Sequence, residues 1–107
     1  MRDWRNEMEN LFVYGTLKKP EIQKKVIGRV AEFSEDSLKW HKKSQIEIEG
    51  EIFPILINSK NPRDFALGFV LEVSEEELKK IDKYKGDEYK RKKVILNSGK
   101  ESWVYVK

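Results

Sequence analysis

Three stretches of the 107-residue chain hold residue types that could do chemistry. In Val13-Tyr14-Gly15-Thr16-Leu17 a short apolar, aromatic run, Leu11-Phe12-Val13-Tyr14, stops at a glycine. It reads as a buried strand entering a loop. Such a break presents successive backbone N–H groups that can hold a carboxylate or carbonyl oxygen. Gly15 admits a close approach to the backbone, and Thr16 adds a hydroxyl. The second stretch is KYKGDEYKRKK over 83–93, with six cations, two acids, and Tyr84 and Tyr89 between them. Cations interleaved with aromatics suit single-stranded nucleic acid, while lysines alternating with apolar residues also guard a strand edge. The third is His41, in Lys39-Trp40-His41-Lys42-Lys43. A histidine base needs a positioned nucleophile and an orienting group. His41 has no obvious partner and is expected at the surface or half-buried.

Composition removes several alternatives. There is no cysteine, so disulfides, thiolate-held zinc and iron–sulfur clusters are excluded. One histidine is too few for a histidine-built metal site and a poor basis for a Ser-His-Asp triad. Lys and Arg number 22 against 19 Asp and Glu, a net charge of +3, which describes a mixed surface and argues against a nucleic-acid partner. No apolar run reaches the roughly 18 residues of a membrane span, and the opening MRDWRNEMEN is too charged for a signal peptide. A cytoplasmic monomer without a membrane partner is expected. Aromatics at 11% still supply core material, and the tryptophans at 4, 40 and 103 are expected to be packing residues.

The elements that position these stretches follow from pattern. Residues 1–9 are expected to form a flexible arm and residues 10–107 a single domain. Pro20 suits the first turn of a short helix and Gly28 its end, with Ile22, Val26 and Ile27 as its buried stripe. Residues 29–33 could be a strand; 34–43 are polar and undetermined. Ile46, Ile48 and Ile52 alternate with Glu47, Glu49 and Glu51, broken at Gly50, and Phe53–Ile57 continues apolar with Pro54 at an edge or bulge. Asn58–Asp64 is turn chemistry, and Leu67–Val73 another strand. Ser74-Glu75-Glu76-Glu77 is a capping box that opens a helix through Leu78, Ile81 and Tyr84, stopped at Gly86. Tyr89–Leu96 and Ser102–Val106 read as strands joined by a turn over Asn97–Lys100. The fold class is α+β, and a mostly non-sequential, barrel-like sheet is expected.

These segments together resemble the γ-glutamylcyclotransferase-like superfamily, including its AIG2-like and γ-glutamylamine cyclotransferase branches. Leu11-Phe12-Val13-Tyr14-Gly15-Thr16-Leu17-Lys18 is similar to the family's opening signature nearly letter for letter. Phe53-Pro54-Ile55-Leu56, the Gly68–Val73 strand, Leu78…Ile81-Asp82-Lys83-Tyr84 and Tyr89-Lys90-Arg91…Val94 resemble later family segments in the same order. The resemblance covers roughly residues 10–106, and Tyr105 sits where the family often has an aromatic.

The resemblance implies a small mixed β-barrel with short flanking helices, and a reaction that needs no metal or cofactor. The substrate's own α-amine attacks its γ-glutamyl carbonyl and releases 5-oxoproline. It implies ligand contacts from Tyr14, Gly15, Thr16, Leu17, Tyr89 and Tyr105, and a glutamate that moves the proton. One carboxyl can serve both proton transfers, since the attacking amine must lose a proton and the leaving nitrogen must gain one. In this chain the glutamate's position is Lys85, and an ammonium cannot accept a proton. Three functions remain open. One is a family-fold protein holding a small γ-glutamyl or carboxylate ligand, with the reaction lost or reduced. Another is an active cyclotransferase with Glu88 as substitute acid and base. The third is a nucleic-acid or protein interaction module using the Lys83–Lys93 face.

Overall fold

In the first strand, β1 (Met8–Val13), the second half is paired on both sides and buried on both faces, which is why Leu11–Tyr14 reads as an unbroken apolar run. The structure, a computed structural model, describes residues 8–107. The chain continues with α1 (Pro20–Ile27), β2 (Phe33–Lys39), β3 (His41–Ile48), β4 (Glu51–Asn58) and β5 (Phe65–Ser74). It closes with α2 (Glu75–Lys85), β6 (Lys90–Ile95) and β7 (Glu101–Val106). A five-stranded sheet runs β2-β5-β1-β7-β6, and β3 and β4 form a separate ribbon. β1 pairs antiparallel with β5, with Leu11 opposite Leu71, and parallel with β7, with Phe12 opposite Val104.

The two faces of β1 serve two cores. Leu11 and Val13 pack with Leu71, Val73, Leu78 and Ile81 under the helices. Phe12 and Tyr14 point the other way, into Leu38, Leu56, Val70 and Val104. The α+β class therefore holds, but the strands are not closed into a barrel. The curled sheet meets itself at one point. Asn97 N–H donates to the Ser37 carbonyl on edge strand β2 (2.8 Å), and the Asp36 carboxylate accepts from the Ser98 hydroxyl (2.5 Å).

Both helices begin and end at their expected signals. Pro20 occupies the first turn of α1, and Gly28 ends it in the left-handed region (φ 81°), its N–H on the Lys24 carbonyl. Ser74 and Glu77 form the reciprocal capping box of α2. The Glu77 carboxylate also takes a two-point contact from Arg29 (2.8 Å each), which ties the end of α1 to the start of α2.

Several expectations need correction. Residues 29–33 are not a strand; β2 starts at Phe33 and runs through the polar segment, with only Leu38 fully buried. Its pairing with β5 satisfies the backbone of an edge strand whose side chains need not be apolar. The alternation from Ile46 to Ile52 is not one strand. Glu49 (φ 50°) and Gly50 (φ 83°) reverse the chain in a two-residue hairpin turn, which pairs Ile46 with Phe53 and Glu47 with Ile52, so that Ile52 leaves the face of Ile46 and Ile48 and is exposed. Pro54 lies in the ribbon, where β4 pairs only with β3. Met8 and Glu9, assigned to the arm, belong to β1; residues 1–7, Trp4 among them, lie outside the described residues. Trp40 is not a packing residue: it is half exposed, with a positive φ between β2 and β3.

Gly68 in β5 is required by a backbone contact. A Cβ there would stand 2.3 Å from the Val13 carbonyl oxygen and 2.8 Å from the Phe12 ring. Neither can move without breaking the β1–β5 ladder. Gly68→Ala is expected to lower the unfolding free energy by about 3 kcal/mol in urea titrations, whereas Gly99→Ala, in the open β6–β7 turn, should cost about 1 kcal/mol, from its positive φ alone.

Candidate functional site

Where β1 ends, Gly15 turns the chain into a single 3-10 turn, Thr16–Lys18. The Lys18 and Lys19 N–H groups close that turn on the Gly15 and Thr16 carbonyls. Leu17 is buried and pins the turn to the core from inside. Gln23, a buried polar residue, holds it from outside. Its side-chain nitrogen donates to the Leu17 carbonyl (2.8 Å), and its oxygen accepts from Ala31 N–H (2.9 Å). The N–H groups of Gly15, Thr16 and Leu17 meet no acceptor among the described residues, as the first turn of a helix leaves its donors free. Pro54 of the ribbon covers this turn so closely that a Cβ on Gly15 would lie 2.9 Å from its Cγ.

Lys85, the last residue of α2, sends its amine into a box of three tyrosines. Its Nζ lies 4.7 Å from the ring centroid of Tyr89, 5.7 Å from Tyr105 and 5.9 Å from Tyr14, each within cation–π range. The three hydroxyls are engaged elsewhere. Tyr14 donates to the Tyr105 carbonyl (2.7 Å), Tyr89 to the Pro54 carbonyl (2.8 Å) and Tyr105 to Asp82 (2.5 Å). Lys85 is thus offered ring faces, and among the described residues its amine has neither a hydrogen bond nor an ion pair. Burial lowers its pKa from 10.5 to about 8. The ring faces favour the ammonium and oppose that shift, but do not replace the lost hydration.

The acid that touches the box is committed. Asp82, one turn before Lys85 on α2, accepts from Tyr105 and pairs with Arg91 through Nη2 (3.0 Å) and Nε (2.9 Å). Arg91 in turn stacks over Trp103, 4.4 Å from the ring centroid. Burial, and then the Asp82 carboxylate, raises the pKa of Tyr105, and burial and then Tyr89 raise that of Tyr14. Both phenols therefore stay protonated and act as donors. Asp87 and Glu88 are exposed on the turn after α2. A hollow of about 320 Å³, lined by Asp82, Gly86, Asp87, Tyr89, Arg91 and Tyr105, opens on this side. A larger groove of about 690 Å³, whose walls include Met8, Arg29, Glu72, Glu77 and Lys80, shares no residue with the tyrosine box. Its most buried charges are the paired Arg29 and Glu77, so size does not make it the chemical centre.

The structure thus brings together Tyr14, Lys85, Tyr89 and Tyr105, with Gly15 next to Tyr14. Thr16 is exposed and meets the Tyr84 hydroxyl (3.1 Å), Leu17 offers only its backbone, and Glu88 lies apart. The 83–93 run is not one basic face. Lys85 enters the box, Arg91 and Lys93 flank Trp103, and Lys93 pairs with Glu101. Lys92 lies 3.3 Å from His41 Nε2, while Nδ1 donates to the Lys39 carbonyl (2.8 Å). His41 is buried rather than on the surface. Sequence reasoning missed Gln23, Pro54 and Arg91 as supports. Gln23 breaks an apolar stripe on a helix, the one signal that could have found it.

A half-buried ammonium with a lowered pKa makes stability depend on pH. Between pH 8 and 10.5 the unfolded chain holds a proton on Lys85 that the native state has lost, so stability rises with pH across that window. Lys85→Met removes the slope. At pH 7, where the native protein must bury the charge, the variant is expected to be more stable by about 1–3 kcal/mol, an advantage that shrinks above pH 8 in denaturant titrations.

A family model described as gamma-glutamyl cyclotransferase, AIG2-like, matches residues 11–107. AIG2-like protein B of Arabidopsis thaliana is 27% identical over 85 residues, 79% of this chain and 48% of the relative, so the chain spans about half the length of that curated relative. Among solved structures, a solution structure of an Arabidopsis thaliana protein superposes with a TM-score of 0.79 at 24% identity, covering 94% of this chain and 68% of the other. A structure named gamma-glutamyl cyclotransferase gives 0.73 at 21% identity, covering 94% and 66%. At those identities the structures speak for the fold alone. No helix among the described residues is long and apolar enough to cross a membrane. With a match that runs from the first core strand to the last residue, the chain belongs to the AIG2-like family of gamma-glutamyl cyclotransferases.

Proposed function

We propose that this chain binds a small γ-glutamyl or carboxylate ligand beside the Gly15–Leu17 turn and has little or no cyclotransferase activity. The observation that carries this reading is the Lys85 amine, boxed by Tyr14, Tyr89 and Tyr105. Cyclisation needs a group that takes a proton from the attacking amine and delivers one to the leaving nitrogen. An ammonium at pH 7 can do neither in that order, and it repels a second ammonium. The same charge, with the free N–H groups of the turn, favours an anion.

The alternative with Glu88 as acid and base would require that side chain to leave an exposed turn for a box already filled by Lys85. Misplacing a proton carrier by even an ångström costs about two orders of magnitude in rate.

The assay is release of 5-oxoproline from γ-glutamyl amines, γ-glutamyl dipeptides and glutathione. The native protein is expected at background. Lys85→Glu, which puts a carboxyl at the end of α2, is expected to exceed it by at least about 10²-fold, and Glu88→Gln should change nothing. Native turnover equal to that of Lys85→Glu would overturn the loss of activity. The binding half is read separately, from backbone amide shifts at Gly15–Leu17 during titration with glutamate and related anions. Shifts confined to those amides are expected; unmoved resonances across the panel refute it.

A further inference from the structure

We propose that the open half of the β2–β5 face binds a second copy of this chain in a two-fold dimer. The odd-numbered residues of β5 are apolar from end to end: Phe65, Leu67, Phe69, Leu71 and Val73. Strand alternation puts all five on one face. Leu71 and Val73 are buried beneath the helices with Leu78 and Ile81, and Phe69 packs at the margin of that core. There the cover ends. Leu67 is 63% exposed and Phe65 56%. Phe33 of β2, edge-on to Phe69 with ring centroids 5.3 Å apart, is 63% exposed. The opposite row, Ala66 and Val70, is buried in the second core. Folding of one copy therefore accounts for that row and leaves this one in water. Apolar side chains scattered singly over a surface are ordinary, but a contiguous strip that continues a core outward marks an interface.

The charges on the same face select the occupant. β2 pairs antiparallel with β5, which sets Glu35 beside Phe69, Ser37 beside Leu67 and Lys39 beside Phe65. Glu35 and Lys39 are exposed on either side of Ser37, and neither has an ion pair among the described residues. Consider a two-fold axis that lies between two stacked sheets and crosses the strands at the Ser37–Leu67 pair. It places Leu67 against its own counterpart, Phe65 against Phe69 of the partner subunit, and Lys39 against Glu35 of the partner subunit, each twice. The strip is thus complementary to itself in charge, as a contact of one surface with its own copy requires. The helices do not obstruct it. They cover the Leu71–Val73 end, and the same rotation sends the two helical layers to opposite ends of the stack.

The face shares no residue with the tyrosine box, so the dimer stands apart from the ligand reading above. Sedimentation equilibrium of the native protein from about 1 to 500 µM is expected to rise from the monomer mass of 12.7 kDa towards twice that value, with a dissociation constant in the micromolar range that suits a small interface. Leu67→Glu, with folding checked by circular dichroism, is expected to raise that constant at least about 100-fold. Glu35→Lys and Lys39→Glu are each expected to raise it about tenfold, and the two together to restore it. Ile52→Glu, at the exposed end of the ribbon, should leave it unchanged. A native protein that stays monomeric throughout overturns the proposal, and if it instead co-sediments with lipid vesicles the face belongs to a membrane. A dimer indifferent to Leu67→Glu, or a charge swap that fails to restore association, overturns it as well.

Discussion

The arrangement depends on how closely three backbone segments approach where β1 ends. Gly68 lets β5 lie against the Val13 carbonyl at a distance no side chain permits, and Gly15 does the same for the proline of the ribbon. These contacts do different work. The first fixes the register of the central ladder, and with it which residues of β1 face the helices and which face the opposite core. The second brings Pro54 over the 3-10 turn, where its carbonyl receives the Tyr89 hydroxyl. One wall of the tyrosine box is therefore held by a strand that belongs to another sheet.

On that frame the Lys85 amine is under two opposed demands. Its stem covers apolar surface, which packing favours, while its charge loses water that the three rings replace only in part. A carboxylate in this neighbourhood finds partners readily: Asp82 has both Arg91 and the Tyr105 hydroxyl. Among the described residues the ammonium finds ring faces but no hydrogen bond or ion pair, and it is therefore the member of the site whose protonation state is easiest to change.

Legibility in the sequence followed locality. The caps of both helices, the β6–β7 turn and the apolar β1 run are set by neighbours in the chain, and residue type suffices for them. β2 was opaque because its structure comes from pairing with β5, about thirty residues away, and an edge strand can be polar on most of its length. The closed barrel failed for a related reason. The strand count and turns do not say whether the outer edges of β2 and β6 pair, and here no ladder joins them: the turn after β6 meets β2 through hydrogen bonds of Asn97 and Ser98 with Ser37 and Asp36. Of the site, the tyrosines and Lys85 were legible through family resemblance, whereas the pairing of Asp82 with Arg91 was not, because it depends on the separation between α2 and β6.

That pairing also decides what a change at position 85 could do. If Asp82 were unpaired, it would sit one turn from the Lys85 amine and could neutralise it as an ordinary i, i+3 helix pair. Arg91, held over Trp103, hydrogen-bonded to Asp82 through Nη2 and ion-paired with it, removes that option. The tyrosine hydroxyls are committed in the same way, so no group in the box is left to take a proton from Lys85 or to share one with it. Proton transfer at this site must therefore run through the amine itself or through water.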